Sequence, residues 1–279
     1  MKLFYRAFGN GDPLIILHGL FGSSDNWQTL AKKFAEDFRV FTVDLRNHGR
    51  SFHHDEFDYD VMMHDVEDLI NDIGLEKVSL MGHSMGGKLS MNYTLHHPEK
   101  VENLIVVDIA PRRYQVLHDG IIKALKSLNL SEFKKREEVD NALSDMLQNF
   151  SVRQFLLKNL VRKSKGGFYW KINLDVIDRS IQNLVVEINS EHPYNGNTLF
   201  IAGDKSDYIR PVGEGQIVEL FPSAKIKYLP GTGHWVHAQA PELLYKTVID
   251  FMKFAENVGR KNFYHSNTNF GCRSGICII

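Results

Sequence analysis

A chain of 279 residues, 43% hydrophobic and 24% charged, can bury one large domain or one domain that carries an insertion. Thirty-three lysines and arginines against 34 aspartates and glutamates leave a net charge of −1, so no global field draws it toward nucleic acid or an anionic membrane. Both cysteines, Cys272 and Cys277, lie in the last eight residues, so the body of the fold is expected to stand without disulfides. Arg6, Asn10 and Asp12 interrupt the apolar stretches of the N-terminus, and no run of about eighteen apolar residues reads as a membrane span, so a cytoplasmic, soluble protein is the expectation.

LIILHG (14–19) is the first short apolar run, and the loop HGLFGSSDNW follows it. The helical spacing of NWQTLAKKFAEDF leads to a second run, FRVFTVD (38–44), and the loop DLRNHGRS. YDVMMHDVEDLINDIG reads as a helix before KVSLMG (77–82), and NLIVVD (103–108) follows another helical stretch. Apolar runs of this length, each ending in glycine, proline or aspartate, predict buried parallel strands; alternating with helices they predict an α/β fold, a doubly wound, mostly parallel sheet. The alternation stops between residues 111 and 197, where DGIIKALKSLNL and VRQFLLKNLVRK predict a mostly helical cap. TLFIAG (198–203) and AKIKYLP (224–230) resume the sheet, and PELLYKTVIDFMKFAENV closes it as an amphipathic helix. The core is thus expected to comprise 1–110 and 198–260, with 261–279, rich in Asn, Ser and Gly, a poorly ordered tail.

In such a sheet the active site collects at the carboxyl ends of the strands. There, KVSLMGHSMGGK places Ser84 in a G-x-S-x-G pattern between Gly82 and Gly86, after a strand and before a helix. The glycines permit a sharp turn that presents the serine as a nucleophile, and the helix N-terminus offers the Met85 N–H to an oxyanion. The other donor is expected from HGLFGSSDNW, at Leu20 with Phe21 as the alternative, and His18 is expected to shape that loop. His234, in PGTGHWVHA after the last strand, is the candidate general base; His237 is its nearest rival. The remaining histidines, His118 among them, lack metal-ligand spacing. The chain order Ser, Asp, His admits Asp108, Asp175, Asp204 and Asp207 as the third member. Asp207 lies in the polar loop GDKSDYI, which also reads as a solvated turn. Asp108 ends the apolar run LIVV, where a buried charge requires a partner such as an imidazolium.

HGLFGSSDNW, VDLRNHGRS, GHSMGGK, VVDIAPRRY, RQFLLKNL and GHWVHA together resemble the alpha/beta-hydrolase superfamily, and more closely its YbfF-like esterases and their mitochondrial relatives. The resemblance implies hydrolysis of an ester or thioester by a serine nucleophile, with no cofactor and no metal, and carries over Ser84 and His234. It also favours Asp108 as the acid, Asp207 being the alternative, and implies that Asp44, Arg46 and Ser51 hold their loop rather than take part in bond making. The expected pocket is apolar and suited to a short or medium acyl chain, lined by Phe21, Met85, Tyr208, Ile209, Trp235 and cap residues from QFLLKNL and GFYW. The aromatics Phe168, Tyr169 and Trp170 read more readily as packing within the cap. The competing readings are a ligand receptor that keeps the triad, and a haloperoxidase or carbon–carbon bond hydrolase of the same fold. The oligomeric state is not legible in the sequence.

Overall fold

The computed structural model describes residues 1–116, 119–210 and 213–266. The first half of the chain forms β1 (Phe4–Phe8), β2 (Pro13–Leu17), α1 (Gln28–Phe34), β3 (Arg39–Asp44), α2 (Tyr59–Ile73), β4 (Val78–His83), α3 (Met85–His96) and β5 (Val101–Val107). α4 (Asp119–Ser127), α5 (Arg136–Ser144), α6 (Phe150–Leu157), β6 (Leu160–Arg162), β7 (Phe168–Trp170) and α7 (Leu174–Leu184) follow as the cap. The chain closes with β8 (Asn197–Gly203), α8 (Gly213–Leu220), β9 (Lys225–Leu229), α9 (Val236–Gln239) and α10 (Pro241–Ser266).

All six apolar runs expected as strands enter one seven-stranded sheet of order β1-β3-β2-β4-β5-β8-β9. Its strands are parallel except β1, which pairs antiparallel with β3. Successive side chains of a strand point to opposite faces, and β2 divides accordingly. Ile15 and Leu17 pack with Met62 and Val66 of α2 and Leu89 of α3, while Leu14 and Ile16 pack with Phe34 of α1 and Leu244 and Val248 of α10. No helix among the described residues is long and apolar enough to cross a membrane.

Three features depart from expectation. β1 was not expected because its alternating half-buried and exposed residues, FYRAF, belong to a short edge strand and not to a buried run. The cap contains a hairpin, β6 against β7 with Leu160 opposite Trp170, so GFYW is a strand of the cap. α10 continues through Ser266, past the expected end near Val258, so 261–266 are helical. His118 and the rest of the expected tail, 267–279, lie outside the described residues.

Both chain crossings between sheet and cap are fastened to the core. The Ile188 N–H donates to the Pro111 carbonyl (2.7 Å) and the Tyr114 N–H to that of Val185 (2.8 Å), so the crossings are bonded to each other. Lys88, on α3, donates from Nζ to the Arg112 carbonyl (2.8 Å) and to that of Val186, one on each crossing. Burial, with Arg112 and Arg113 nearby, pulls its pKa down to about 7. Even the neutral amine keeps two N–H groups for two carbonyls.

Between pH 7 and 10.5 the unfolded lysine holds a proton that the folded one has released, so this residue makes the protein more stable as pH rises through that window. Lys88→Met is expected to lower stability by about 1–3 kcal/mol through two undonated carbonyls. Urea unfolding of both proteins should show their gap widening from pH 7 toward 10, by at most about 1.4 kcal/mol per pH unit; parallel curves would contradict the role.

Candidate active site

The turn from β4 into α3 holds Ser84 at φ 52° and ψ −117°, a region that costs a residue with a Cβ on the order of 1–3 kcal/mol. Two close approaches enforce it. A Cβ on Gly82 would stand 2.1 Å from the Gly86 carbonyl oxygen, and one on Gly86 2.4 Å from that of Leu17. The Ser84 N–H donates to the Val107 carbonyl of the neighbouring strand (3.0 Å), and its own carbonyl accepts the Lys88 N–H (3.0 Å). Ser84 therefore sits at the carboxyl edge of the central strand, with the Met85 amide at the start of the helix behind it.

Facing it is the turn Gly19–Gly22, closed by the Gly22 N–H on the Gly19 carbonyl (2.9 Å), with Phe21 at φ 60°. The Phe21 N–H is committed to Nε2 of His48 (3.2 Å), which leaves Leu20 as the amide of this turn suited to an oxyanion. His48 Nδ1 in turn donates to the Arg46 carbonyl (3.0 Å). His18 accepts the Leu45 N–H at Nε2 (3.0 Å) and donates from Nδ1 to the Gly19 carbonyl (2.8 Å), so it shapes the loop as expected. Each imidazole has one accepting and one donating nitrogen, the pattern of the neutral ring. Burial lowers the pKa of both, that of His48 to about 3. Asp44 accepts the N–H groups of Ser24 (2.6 Å) and Arg50 (2.8 Å), Ser51 donates to the Asp44 carbonyl (2.5 Å), and Arg46 holds Asp65 through two bonds (2.5 and 2.8 Å).

Of the four candidate carboxylates, the structure brings Asp108 to His234. Asp108 Oδ2 lies 2.8 Å from His234 Nδ1 and accepts the Ser206 hydroxyl (2.5 Å), while Oδ1 accepts the Gly203 N–H (2.9 Å). The residue has no exposed surface, stands at φ 53°, and donates its own N–H to the Ile201 carbonyl (2.7 Å). Asp207 is exposed, and its backbone carbonyl accepts from Arg112 (3.1 Å). Asp204 accepts the Thr232 N–H (3.1 Å), and Asp175, on the cap, pairs with Lys126 (2.9 Å).

His234 is held on three sides. Besides Asp108, Nε2 of His83 donates to its carbonyl (2.8 Å), and the Tyr208 ring stacks on its imidazole with centroids 4.0 Å apart. Burial, with His237 and His234 beside it, keeps the His83 pKa well below the usual histidine value. His237 stacks on Trp27 (4.6 Å), and burial pulls its pKa to about 3. It packs, and does not stand in for His234.

Ser84 and Leu20 line two adjoining cavities. One, of about 410 Å³ counting its open mouth, adds Phe21, His234, Trp235 and, from α6, Phe155 and Leu156. The other, of about 470 Å³, adds Tyr59, Met85, Lys88, Tyr114 and Tyr208. Ile209, expected at the pocket, is instead fully buried and lines neither cavity, because its side chain packs into the hydrophobic core. GFYW contributes to neither; Trp170 donates its indole N–H to the Leu125 carbonyl (3.2 Å) within the cap. Sequence reasoning did not single out His83, Ser206, Lys88 or Asn159, whose amide reaches the Phe21 carbonyl (2.7 Å). Among the described residues no cluster of three or more His, Cys, Asp or Glu could hold a metal ion.

A family model described as the alpha/beta hydrolase fold matches residues 12–241. The sn-1-specific diacylglycerol lipase ABHD11 of Mus musculus is 39% identical over 247 residues, which cover 86% of this chain and 80% of that protein. Esterase YbfF of Escherichia coli is 32% identical over 243 residues, 86% of this chain and 92% of the esterase. A solved marine microorganism esterase is 44% identical, covers 90% of this chain and 99% of its own, and superposes with a TM-score of 0.88.

The contact between Gly86 and the backbone of β2 is expected to make Gly86→Ala cost about 1–3 kcal/mol, by the overpacking it forces. Gly120, near the start of α4, has open space where a Cβ would stand, and Gly120→Ala should be neutral or stabilising by about 0.5–1 kcal/mol. Urea midpoints of the two variants would test this, and equal effects would show that the turn tolerates a side chain.

Proposed function

The chain belongs to the alpha/beta-hydrolase family, to its branch of YbfF-like esterases, and from that premise we propose that it hydrolyses carboxylic esters with Ser84 as nucleophile. His234 takes the Ser84 proton as Oγ attacks the acyl carbonyl, and Asp108 holds the imidazole with Nδ1 protonated. The N–H groups of Leu20 and Met85 receive the oxyanion. Collapse of the tetrahedral intermediate passes the proton to the leaving alkoxide, releasing alcohol and leaving the acyl group on Ser84. Water then attacks this ester with His234 as base, and Ser84 recovers its proton as the acid departs.

The observation that carries this reading is the buried Asp108 on His234, in a cavity edge that also holds Ser84 on a strained turn. A ligand receptor has no need of that strain. Thioesters fit the same path, since a thiolate leaves with less help from a general acid. The apolar lining by Leu20, Phe155, Leu156 and Trp235 supports acyl groups of short to medium length.

Ser84→Ala should abolish both hydrolysis of p-nitrophenyl butyrate and labelling by a fluorophosphonate. Asp108→Asn should lower kcat by about 10³- to 10⁴-fold, whereas Asp207→Asn should stay within about tenfold. Hydrolysis that persists in Ser84→Ala would remove the nucleophile, and the reverse ranking of the aspartates would remove Asp108 as the acid.

A further inference from the structure

The turn that carries Leu20 is closed by its own Gly22–Gly19 bond, but Phe21 within it is held from elsewhere. Phe21 occupies left-handed backbone space at φ 60°, which a residue with a Cβ keeps only when its surroundings fix it. The peptide before Phe21 is pinned by His48, which accepts its N–H (3.2 Å). The peptide after it is pinned from the cap: Asn159 Nδ2 donates to the Phe21 carbonyl at 2.7 Å, across 138 positions of sequence.

Asn159 is built for this contact. It lies two residues past the end of α6 and is 1% exposed, and its Nδ2 also donates to the Leu156 carbonyl (3.2 Å). Its backbone N–H bonds to Leu156 (3.0 Å) and its carbonyl accepts from Lys171 (2.9 Å), so the side chain starts from a fixed frame. Oδ1 is buried without a hydrogen-bond partner among the described residues. The reversed amide would set that oxygen against two carbonyl oxygens, so the N–H₂ group must face them. A buried amide that leaves its acceptor unsatisfied while both N–H bonds are placed is specified by what it donates to.

The same stretch of α6 faces the reaction. Val152, Phe155 and Leu156 line the cavity that Ser84, His234 and Leu20 share, and Asn159 lies one helical turn beyond Phe155. We propose that Asn159 is a positioning residue that sets the Leu20 amide from the cap, so that the oxyanion hole is complete only while α6 is seated on the core. This rests on the reading of Ser84 and Leu20 given above. An amide turned away from the oxyanion weakens the transition state and leaves the ground state nearly untouched, because the developing charge appears only during attack.

The test compares Asn159→Ala and the isosteric Asn159→Asp, which replaces the donor by an acceptor, with wild type and Ser84→Ala on p-nitrophenyl butyrate. kcat should fall by about 10- to 100-fold in Asn159→Ala, and further in Asn159→Asp, with KM within about threefold. Affinity for a trifluoromethyl ketone, whose adduct carries the oxyanion, should fall by the same factor as kcat, while inhibition by 1-butanol, which has no anionic oxygen, is unchanged. A role in cap packing alone would instead raise KM, weaken both inhibitors alike, or leave kcat as in wild type, and any of these overturns the proposal. Asn159→Ser provides the same comparison if the aspartate variant does not fold. An inactive wild type, or activity surviving in Ser84→Ala, defeats the reading of Ser84 and this inference with it; an inactive Ser84→Ala beside a fully active Asn159→Ala defeats this inference alone.

Discussion

A carboxylate with no access to water must be neutralised by what surrounds it, and the arrangement around Asp108 answers to that requirement. Its two oxygens take a hydroxyl, a backbone N–H and an imidazole nitrogen, drawn from the loop after β8, the last residue of β8 and the loop that carries His234. Three separate segments are thereby brought to one point at the edge of the sheet. The positive φ of Asp108 belongs to the same solution, since it turns the side chain toward the Gly203 amide while the main-chain N–H stays on Ile201. With Nδ1 of His234 taken by the carboxylate and its carbonyl taken by His83, Nε2 is the ring nitrogen that the proposed proton transfer would use.

The other imidazoles nearby serve a different purpose. His18, His48, His83 and His237 are buried, and burial depresses the pKa of each. A neutral ring offers one donor and one acceptor in fixed directions, and His18 and His48 use both on backbone groups of their loops, while His83 donates to the His234 carbonyl and His237 packs on Trp27. The histidine richness of this edge is thus mostly a matter of loop geometry. His234 differs in touching both a carboxylate and the cavity.

Much of this was legible because it depends on local pattern. The apolar runs that became β2, β3, β4, β5, β8 and β9 are long or bounded enough to be recognised, and the glycines about Ser84 announce a turn that only they permit. The apolar residues before Asp108 pointed to burial, but the resemblance to YbfF-like esterases was what favoured it over Asp207; in the structure Asp108 is buried and Asp207 exposed. What was not legible depends on distant partners. β1 is defined by its pairing with β3, Ile209 by the core into which it turns, and His83 by a carbonyl 151 positions away. Ser206 stood in the polar loop that reads as a solvated turn, and nothing in GDKSDYI tells that its hydroxyl faces a buried carboxylate.

Several hydrogen bonds join the cap to the core: Tyr59 donates to the Leu184 carbonyl (2.9 Å), the Asn173 N–H donates to the Asn47 carbonyl (2.9 Å), and Lys88 and Asn159 add two buried ties. Lys88 reaches up from α3 to both crossings at the base of the cap, and Asn159 reaches down from its rim to the Gly19–Gly22 turn. A hinge that lifted the whole cap would have to break both ties and expose a lysine and an amide that have few other partners. Displacing α6 with the residues that follow it would break the second and separate Phe155 from Trp235. Phe155 and Leu156 of that helix line the cavity with Trp235 and Ser84, and the Phe155 and Trp235 rings meet with centroids 6.1 Å apart. The helix that walls the cavity therefore also leads, through the residues that follow it, to the tie on the Phe21 carbonyl, so the cavity wall and the Gly19–Gly22 turn share one support.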